Sequence, residues 1–486
     1  MPRKKKVLSY TLYIPENLDI DEMLTTNPPN FKYDRDNFVY IASLPYSIME
    51  SFRNRDKEYE IALTEGYVPF YSRIIKQKVD KYADYLKYFK DNGVLECDGK
   101  SSHNSGKCLW YRFTLEYTTT PKPVTIRRRS LIQQLINRTH PNIEEDEILP
   151  KTPLSEVFYL TTWFNSALRI DKEKAITFLQ NLYEIDCETK GIGYAQRRHN
   201  SLMVSVLKIY NNECSNNLSI DRKGRRFYSP LTNLKSELRA YVTYDNQKLV
   251  SLDLKNSQPF FSLVFWEIRL FDICHVGDIL TLYYDYLKVN DIASHIEKLR
   301  SLIKDVKKSV STYKLKRNIL DGDFYEETGI EIGTYYNQPF EEEITEKDLK
   351  EQRNMTKKET MKIMFGRKGN KKFKFHYPDV NEIYSLIKEK NHKVLAWVLQ
   401  YIEANMLLYT VCPQIAEENP DIPLFTIHDS IVTTEEHAEY VKDRMIEIIQ
   451  ETIGFTPMIE PELWEEENTA LLELEEDTEP LEEETE

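Results

Sequence analysis

Residues 425–434, FTIHDSIVTT, constrain the fold more than any other stretch. The apolar, β-branched run from Leu424 to Val432 reads as a buried strand, yet His428 and Asp429 interrupt it. A carboxylate buried without a partner is costly, so this chain must supply one. The pair can be a tight turn between two short strands. It can be an Asp that accepts backbone hydrogen bonds. Or its partner can be a bound cation.

A second apolar run ends the same way. In KLVSLDLKNSQPFFSL (248–263), Leu249–Leu252 runs into Asp253, and a polar turn leads into an aromatic, helical segment. An Asp at a strand end projects its carboxylate, which suits a metal, although Asp is also a common turn and cap residue. Asp253 and Asp429 are 176 positions apart. If their strands are neighbours, the two carboxylates can hold two Mg²⁺ about 4 Å apart. Oxygen ligands and retained water are what Mg²⁺ prefers.

The third stretch is RNMTKKETMKIMFG (353–366). Arg353, Lys357, Met361 and Phe365 recur every four residues, so on a helix they form one stripe, cationic first and then apolar. That order suits a nucleoside triphosphate, with phosphates at one end and base at the other. A basic amphipathic surface helix has the same pattern. The fourth stretch, DRKGRRFYSPLTNLKSELR (221–239), is basic with a glycine inside.

Net charge is −14, which seems to argue against nucleic acid. The distribution reverses the inference. Residues 461–486 carry thirteen acids and no base, leaving −1 on the other 460 residues. This tail reads as disordered. It serves solubility, or it mimics DNA and either competes for a basic groove or recruits a basic protein partner. Tyr is frequent (32) and Gly scarce (14), which suits a helix-rich chain with aromatic surfaces on which bases, or other proteins, can stack. Six cysteines without a CxxC pair argue against a zinc ribbon. MPRKKK lacks the apolar stretch of a signal peptide, and no uninterrupted apolar run approaches membrane length. A cytoplasmic setting with no membrane partner is expected.

Further expectations concern organisation. VLSYTLYIP and FVYIASLPY read as strand-like. Helical spacing over 74–91, then NGVLECD, a polar SSHNSGK tip and LWYRFTLEY, resemble the end of a winged helix, or a generic helix–hairpin unit. In the first case Lys76, Lys78, Lys81 and Lys107 lie near phosphate. TTTPKPVTI (118–126) reads as a Pro-containing linker. The clusters Arg127, Arg128, Arg129, Arg138 and QRRHN (196–200) either track a nucleic-acid backbone or form solvated helix faces.

In order, DLKNSQ, RNMTKKETMKIMFG and HDS resemble motifs A, B and C of the superfamily that joins family A DNA polymerases to single-subunit phage-type RNA polymerases. DRKGRRFY is similar to their GR element, and VLQYIEANM (398–406) to the Gln-containing helix before motif C. The resemblance covers about residues 221–460. It implies metal ligation by Asp253 and Asp429 with the Leu254 backbone, Mg²⁺ as cofactor (Mn²⁺ as substitute), and triphosphate binding by Arg353 and Lys357, with Asp253, Asp429 and Lys357 as the catalytic set. Nucleotide contacts extend to Met361, Phe365 and Gln258. Arg225, Gln400 and His428 fall near the primer–template.

Sugar preference is mixed in this resemblance. Met361, HDS and DRKGR look like the RNA enzymes; the short gap from Arg225 to Asp253, LVSLD and the following SQ look like the DNA enzymes. Gln258 stands five residues after Asp253, where the DNA enzymes carry Glu and the RNA enzymes Gly. Phe365 stands where both usually have Tyr. A bulky Gln crowds a 2′-hydroxyl, so dNTPs are expected as substrates, with weakened discrimination.

The implied fold is α+β, a right-hand polymerase with an N-terminal winged-helix-like domain (1–117), a helical thumb-like, template-binding region (118–240), palm (241–263 and 391–460), fingers (264–390) and an acidic tail (461–486). The chain is expected to act as a monomer on a DNA primer–template, in replication of a phage or mobile element. No exonuclease set is evident. The rivals are an RNA polymerase or primase, and a DNA-binding replication initiator whose palm is not catalytic.

Overall fold

The structure, a computed structural model, describes residues 9–47, 65–99, 108–136, 153–306, 309–321, 324–334, 345–367 and 369–466. The tail from 467 onward, the hairpin tip with Lys107, and Arg138 lie outside these residues. The fold is mixed α+β, with helices predominating.

The central sheet positions the site. Its strands run in the order Phe425–Ile427, Ser430–Thr434, Gln247–Leu254, Val242–Tyr244 and Leu168–Ile170, and Ile459–Leu463 also pairs with Gln247–Leu254. Leu249, Val250, Ser251 and Leu252 are all buried, so this strand is covered on both faces, and its sequence is a continuous apolar run for that reason. The sheet takes Leu168–Ile170 from the region expected to be a helical thumb.

Three local expectations are corrected. FVYIASLPY lies in the helix Arg35–Ser47. Phe38 to Leu44 are all buried, so the helix has no polar stripe and its period is invisible. The linker 118–126 contains the strand Pro121–Ile126, paired antiparallel with Tyr10–Pro15. A two-stranded sheet has only edges, which is where proline is tolerated. The acidic tail does not begin at 461, because Ile459–Leu463 is a strand of the central sheet. Behind it Trp464 is 3% exposed and donates its indole N–H to Ser251 Oγ at 2.8 Å.

The segment 74–91 is two helices, Ser72–Lys78 and Tyr82–Asp91, separated at Lys81 with φ +52°. They precede Leu95–Cys97 and Trp110–Phe113, which pair with each other, and the latter also pairs with Val68–Pro69. Residues 264–390 are helical wherever they carry regular structure among the described residues. Within them, the helix Glu346–Phe365 starts at a capping box formed by Thr345 and Asp348. It buries Thr356, Thr360, Ile363 and Met364, and keeps Arg353, Lys357, Met361 and Phe365 half-exposed along one side.

The segment Val394–Glu418 is long and apolar enough to cross a membrane by length and composition, with mean hydropathy 1.3 over its best window. Of that window 61% is buried within the fold, and it includes the fully buried Glu403, so its apolarity serves the core.

Candidate active site

His428 and Asp429 form the two-residue turn between strands Phe425–Ile427 and Ser430–Thr434, whose closing pair is Ile427 and Ser430. His428 takes the first turn position at φ +51°, an uncommon conformation for a side chain with a Cβ. Strain of this kind collects at functional sites. The turn reading and the metal reading of HDS are therefore compatible.

The register across the sheet brings the carboxylates together. Gln247–Leu254 pairs with Ser430–Thr434 so that Asp253 lies opposite Ser430. Directly opposed residues in an antiparallel pair lie about 5 Å apart at Cα, and Asp429 is the next residue along. The Leu254 N–H points to the Asp429 carbonyl at 3.5 Å. Burial pushes the Asp253 carboxyl up to about 7, and the negative charges of Asp429 and Glu462 push the same way. Arg239 and a hydrogen bond from Ser430 oppose the shift.

Among the described residues no group of three or more His, Cys, Asp or Glu side chains is arranged to hold a metal. A carboxylate pair with one member raised by burial and by its neighbour's charge fits a hard divalent cation that keeps water and substrate oxygens as its other ligands. The donor set fits Mg²⁺.

The helix Glu346–Phe365 packs Arg353 on the helix Phe324–Ile332. The Arg353 guanidinium lies over the Tyr325 ring at 5.1 Å, and its Nε donates to Glu326 at 3.0 Å. Burial raises the Tyr325 hydroxyl, Arg353 opposes this, and the charges of Asp429 and Glu326 add to it. Lys357 has no ion-pair partner among the described residues.

The loop DRKGRR folds on its own acid. The Asp221 carboxylate accepts from the backbone N–H of Lys223, Gly224 and Arg226 at 2.9, 2.7 and 2.7 Å. Gly224 packs on Gln400, where a Cβ would stand 2.9 Å from Gln400 Oε1. Arg225 donates to the Tyr401 hydroxyl at 2.9 Å and lies over the rings of Tyr401 and Tyr409. Arg226 donates twice to Glu403 Oε1, at 3.0 and 2.6 Å. Glu403 Oε2 in turn accepts from Ser257 and Gln258. Burial raises the Glu403 carboxyl; Arg226 lowers it, and the Asp429 charge raises it further.

The structure thus sets Asp253 beside the Asp429 turn, Arg353 over Tyr325, and Gln258 beside the Arg225–Gln400 neighbourhood by way of Glu403 and Arg226. His428 is exposed and meets Tyr228 edge-on at 6.0 Å. The buried side of the same helix, through Thr360, Ile363 and Met364, lines a small apolar cavity together with Pro259, the residue after Gln258. No described contact joins Lys357, Met361 or Phe365 to the carboxylates. Of the basic clusters, Arg198 is committed to an ion network with Asp186 and Glu237, and Arg197 lies over Tyr194. Sequence reasoning missed Tyr325, Glu326, Arg226, Arg239 and Glu403. Only Glu403 left a signal: an acid inside the apolar helix VLQYIEANM, which needs a cation as Asp429 does.

Comparison with known proteins adds no relative: no family model matches the chain, and no curated protein matches it.

Proposed function

We propose that this chain is a template-directed DNA polymerase of the family A type, which adds deoxynucleotides to a primer 3′ end. One observation carries the reading. Antiparallel register sets Asp253 beside the Asp429 turn, so two carboxylates 176 positions apart share one end of a sheet. A right-hand arrangement accommodates the remainder. The central sheet serves as palm and the helical stretch 264–390 as fingers. The helix pair Lys172–Lys190 and Ile192–Tyr210 serves as a thumb-like part. The N-terminal helices with the three-stranded sheet serve as a winged-helix-like grip on duplex DNA.

Two Mg²⁺ held by Asp253 and Asp429, with the Leu254 backbone, would supply activation of the primer hydroxyl and charge stabilisation at the leaving pyrophosphate. The protein's own groups do the rest. Lys357 offers an unpaired ammonium to triphosphate charge as it develops. Arg353 is held in place by Glu326 and Tyr325 before substrate arrives. Met361 and Phe365 give the base an apolar surface. Gln258 crowds the 2′ position of the sugar, and Phe365 lacks a hydroxyl to reinforce it. Arg225, Gln400 and His428 contact primer–template.

Primer extension with all eight nucleotides, with and without template, tests this. Template-dictated dNTP incorporation that disappears in Asp429→Ala is expected. Exclusive use of rNTPs, with chains started from two of them, would make the protein a primase or RNA polymerase. Full biological function of Asp429→Ala would make it a DNA-binding initiator.

A further inference from the structure

Glu403 takes no part in the chemistry just described, yet its buried carboxylate accepts four hydrogen bonds. It is fully buried in the helix Val394–Met406. Oε1 takes two N–H donors from Arg226; Oε2 takes the Ser257 hydroxyl at 2.6 Å and the Gln258 amide at 2.5 Å. A carboxylate only accepts, so it holds Gln258 by Nε2 and leaves Oε1 on the other side. Gln258 Oε1 is buried and has no hydrogen-bond partner among the described residues. Among the described residues, the bond to Glu403 is therefore the one polar hold on the Gln258 side chain.

Gln258 is near both the proposed metal carboxylates, along the chain, and the helix Glu346–Phe365, through its neighbour. It follows Asp253 by five residues, and its neighbour Pro259 shares a cavity with Thr360, Ile363 and Met364. An unbranched side chain excludes a hydroxyl only while one rotamer is enforced, because a free glutamine has other rotamers available. We propose that Glu403 is the positioning residue for sugar selection: by fixing the Gln258 amide it keeps the wall against a 2′-hydroxyl upright. This inference rests on the polymerase reading of the site. Arg226 and Ser257 share the same carboxylate, so a merely structural role would slow every nucleotide alike.

The test is a double-mutant cycle on the full chain, reading kcat/KM for dATP and for ATP in primer extension with Mg²⁺. Gln258→Ala is expected to lower the dATP preference about tenfold, and Glu403→Gln by a similar factor. The double variant should fall no further than Gln258→Ala alone. Glu403→Gln risks the fold by weakening the Arg226 pair, so Gln258→Met, which keeps the length but has no N–H, provides a second arm. It should also lose preference, with an unchanged melting temperature. Equal slowing with both sugars in Glu403→Gln, full additivity with Gln258→Ala, or wild-type preference in Gln258→Met would each overturn the inference while leaving the polymerase reading intact. A wild-type chain that extends no primer sinks that reading and this one with it.

Discussion

Arg353 and Glu326 form an ion pair at 3.0 Å, and the cation one turn along the same helix, Lys357, has none among the described residues. The two cations of the stripe therefore differ in what a substrate gains from them. A group already paired is pre-oriented but partly neutralised, whereas an unpaired ammonium responds fully to new charge. Lys357→Ala should lower kcat about 100-fold, the scale of removing one charge-stabilising donor. Arg353→Ala should act mainly on KM. Glu326→Gln should lower KM for the nucleotide by freeing Arg353. Steady-state incorporation kinetics separate the three, and a rise in KM for Glu326→Gln would count against this division.

Burial first, and then the charge of Asp429 across one rung of the sheet, raise the Asp253 carboxyl, so part of the shift is repulsion that a divalent ion removes. Asp429→Asn should therefore melt at or above the wild-type temperature without metal. It should lose more than about 1000-fold in kcat, since metal-held charge stabilisation is worth several kcal/mol. Mg²⁺ at 100 times its Kd should stabilise the wild type by about 2.7 kcal/mol and leave the variant unmoved. Melting with and without EDTA reads both effects.

The helix Glu346–Phe365 ends against a lysine from the helix Pro378–Lys388. Lys388 donates to the carbonyls of Ile363 at 2.7 Å and Gly366 at 3.3 Å, and burial pushes its amine down to about 8. Between that value and the ordinary 10.5 the unfolded chain binds more protons than the fold, so stability from this group rises with pH across the interval. The gain is at most about 3 kcal/mol, less whatever solvent screens. Denaturant melts from pH 7.5 to 10.5 should show the wild type gaining on Lys388→Met. A constant difference would place the titration elsewhere.

Gly224 lies so close to Gln400 that a methyl group would stand 2.9 Å from its Oε1 and 3.0 Å from its Cβ. Gly224→Ala should cost about 1–3 kcal/mol, as overpacking does, and weaken primer–template affinity by displacing Arg225. Gln400→Ala in the same chain should recover only part of the stability, because the Gln400 Cβ stays. Chemical denaturation and fluorescence anisotropy with a labelled primer–template measure the two effects.

Much of the site was legible one residue at a time. Asp253 at a strand end, Asp429 inside an apolar run, and four residues at helical spacing are local patterns, and local geometry follows from residue type. The helix Glu346–Phe365 and the strand around Leu249 form where the sequence reads them. FVYIASLPY and TTTPKPVTI were misread because burial on all sides erases the helical period, and because an edge strand tolerates proline. Tyr325 and Glu326 left no trace, since nothing in their own neighbourhood distinguishes them from any buried tyrosine and surface acid.

By itself, the sequence determined which carboxylates, cations and aromatic groups are available, and the element on which most of the site residues ride. The tertiary structure alone decided that Asp253 lies opposite Ser430, that Arg353 stacks over Tyr325, and that Glu403 gathers Arg226, Ser257 and Gln258. Those pairings join segments separated by 28 to 177 positions. Periodicity reports only a segment's own face, whereas register between distant strands is set by packing the whole core at once.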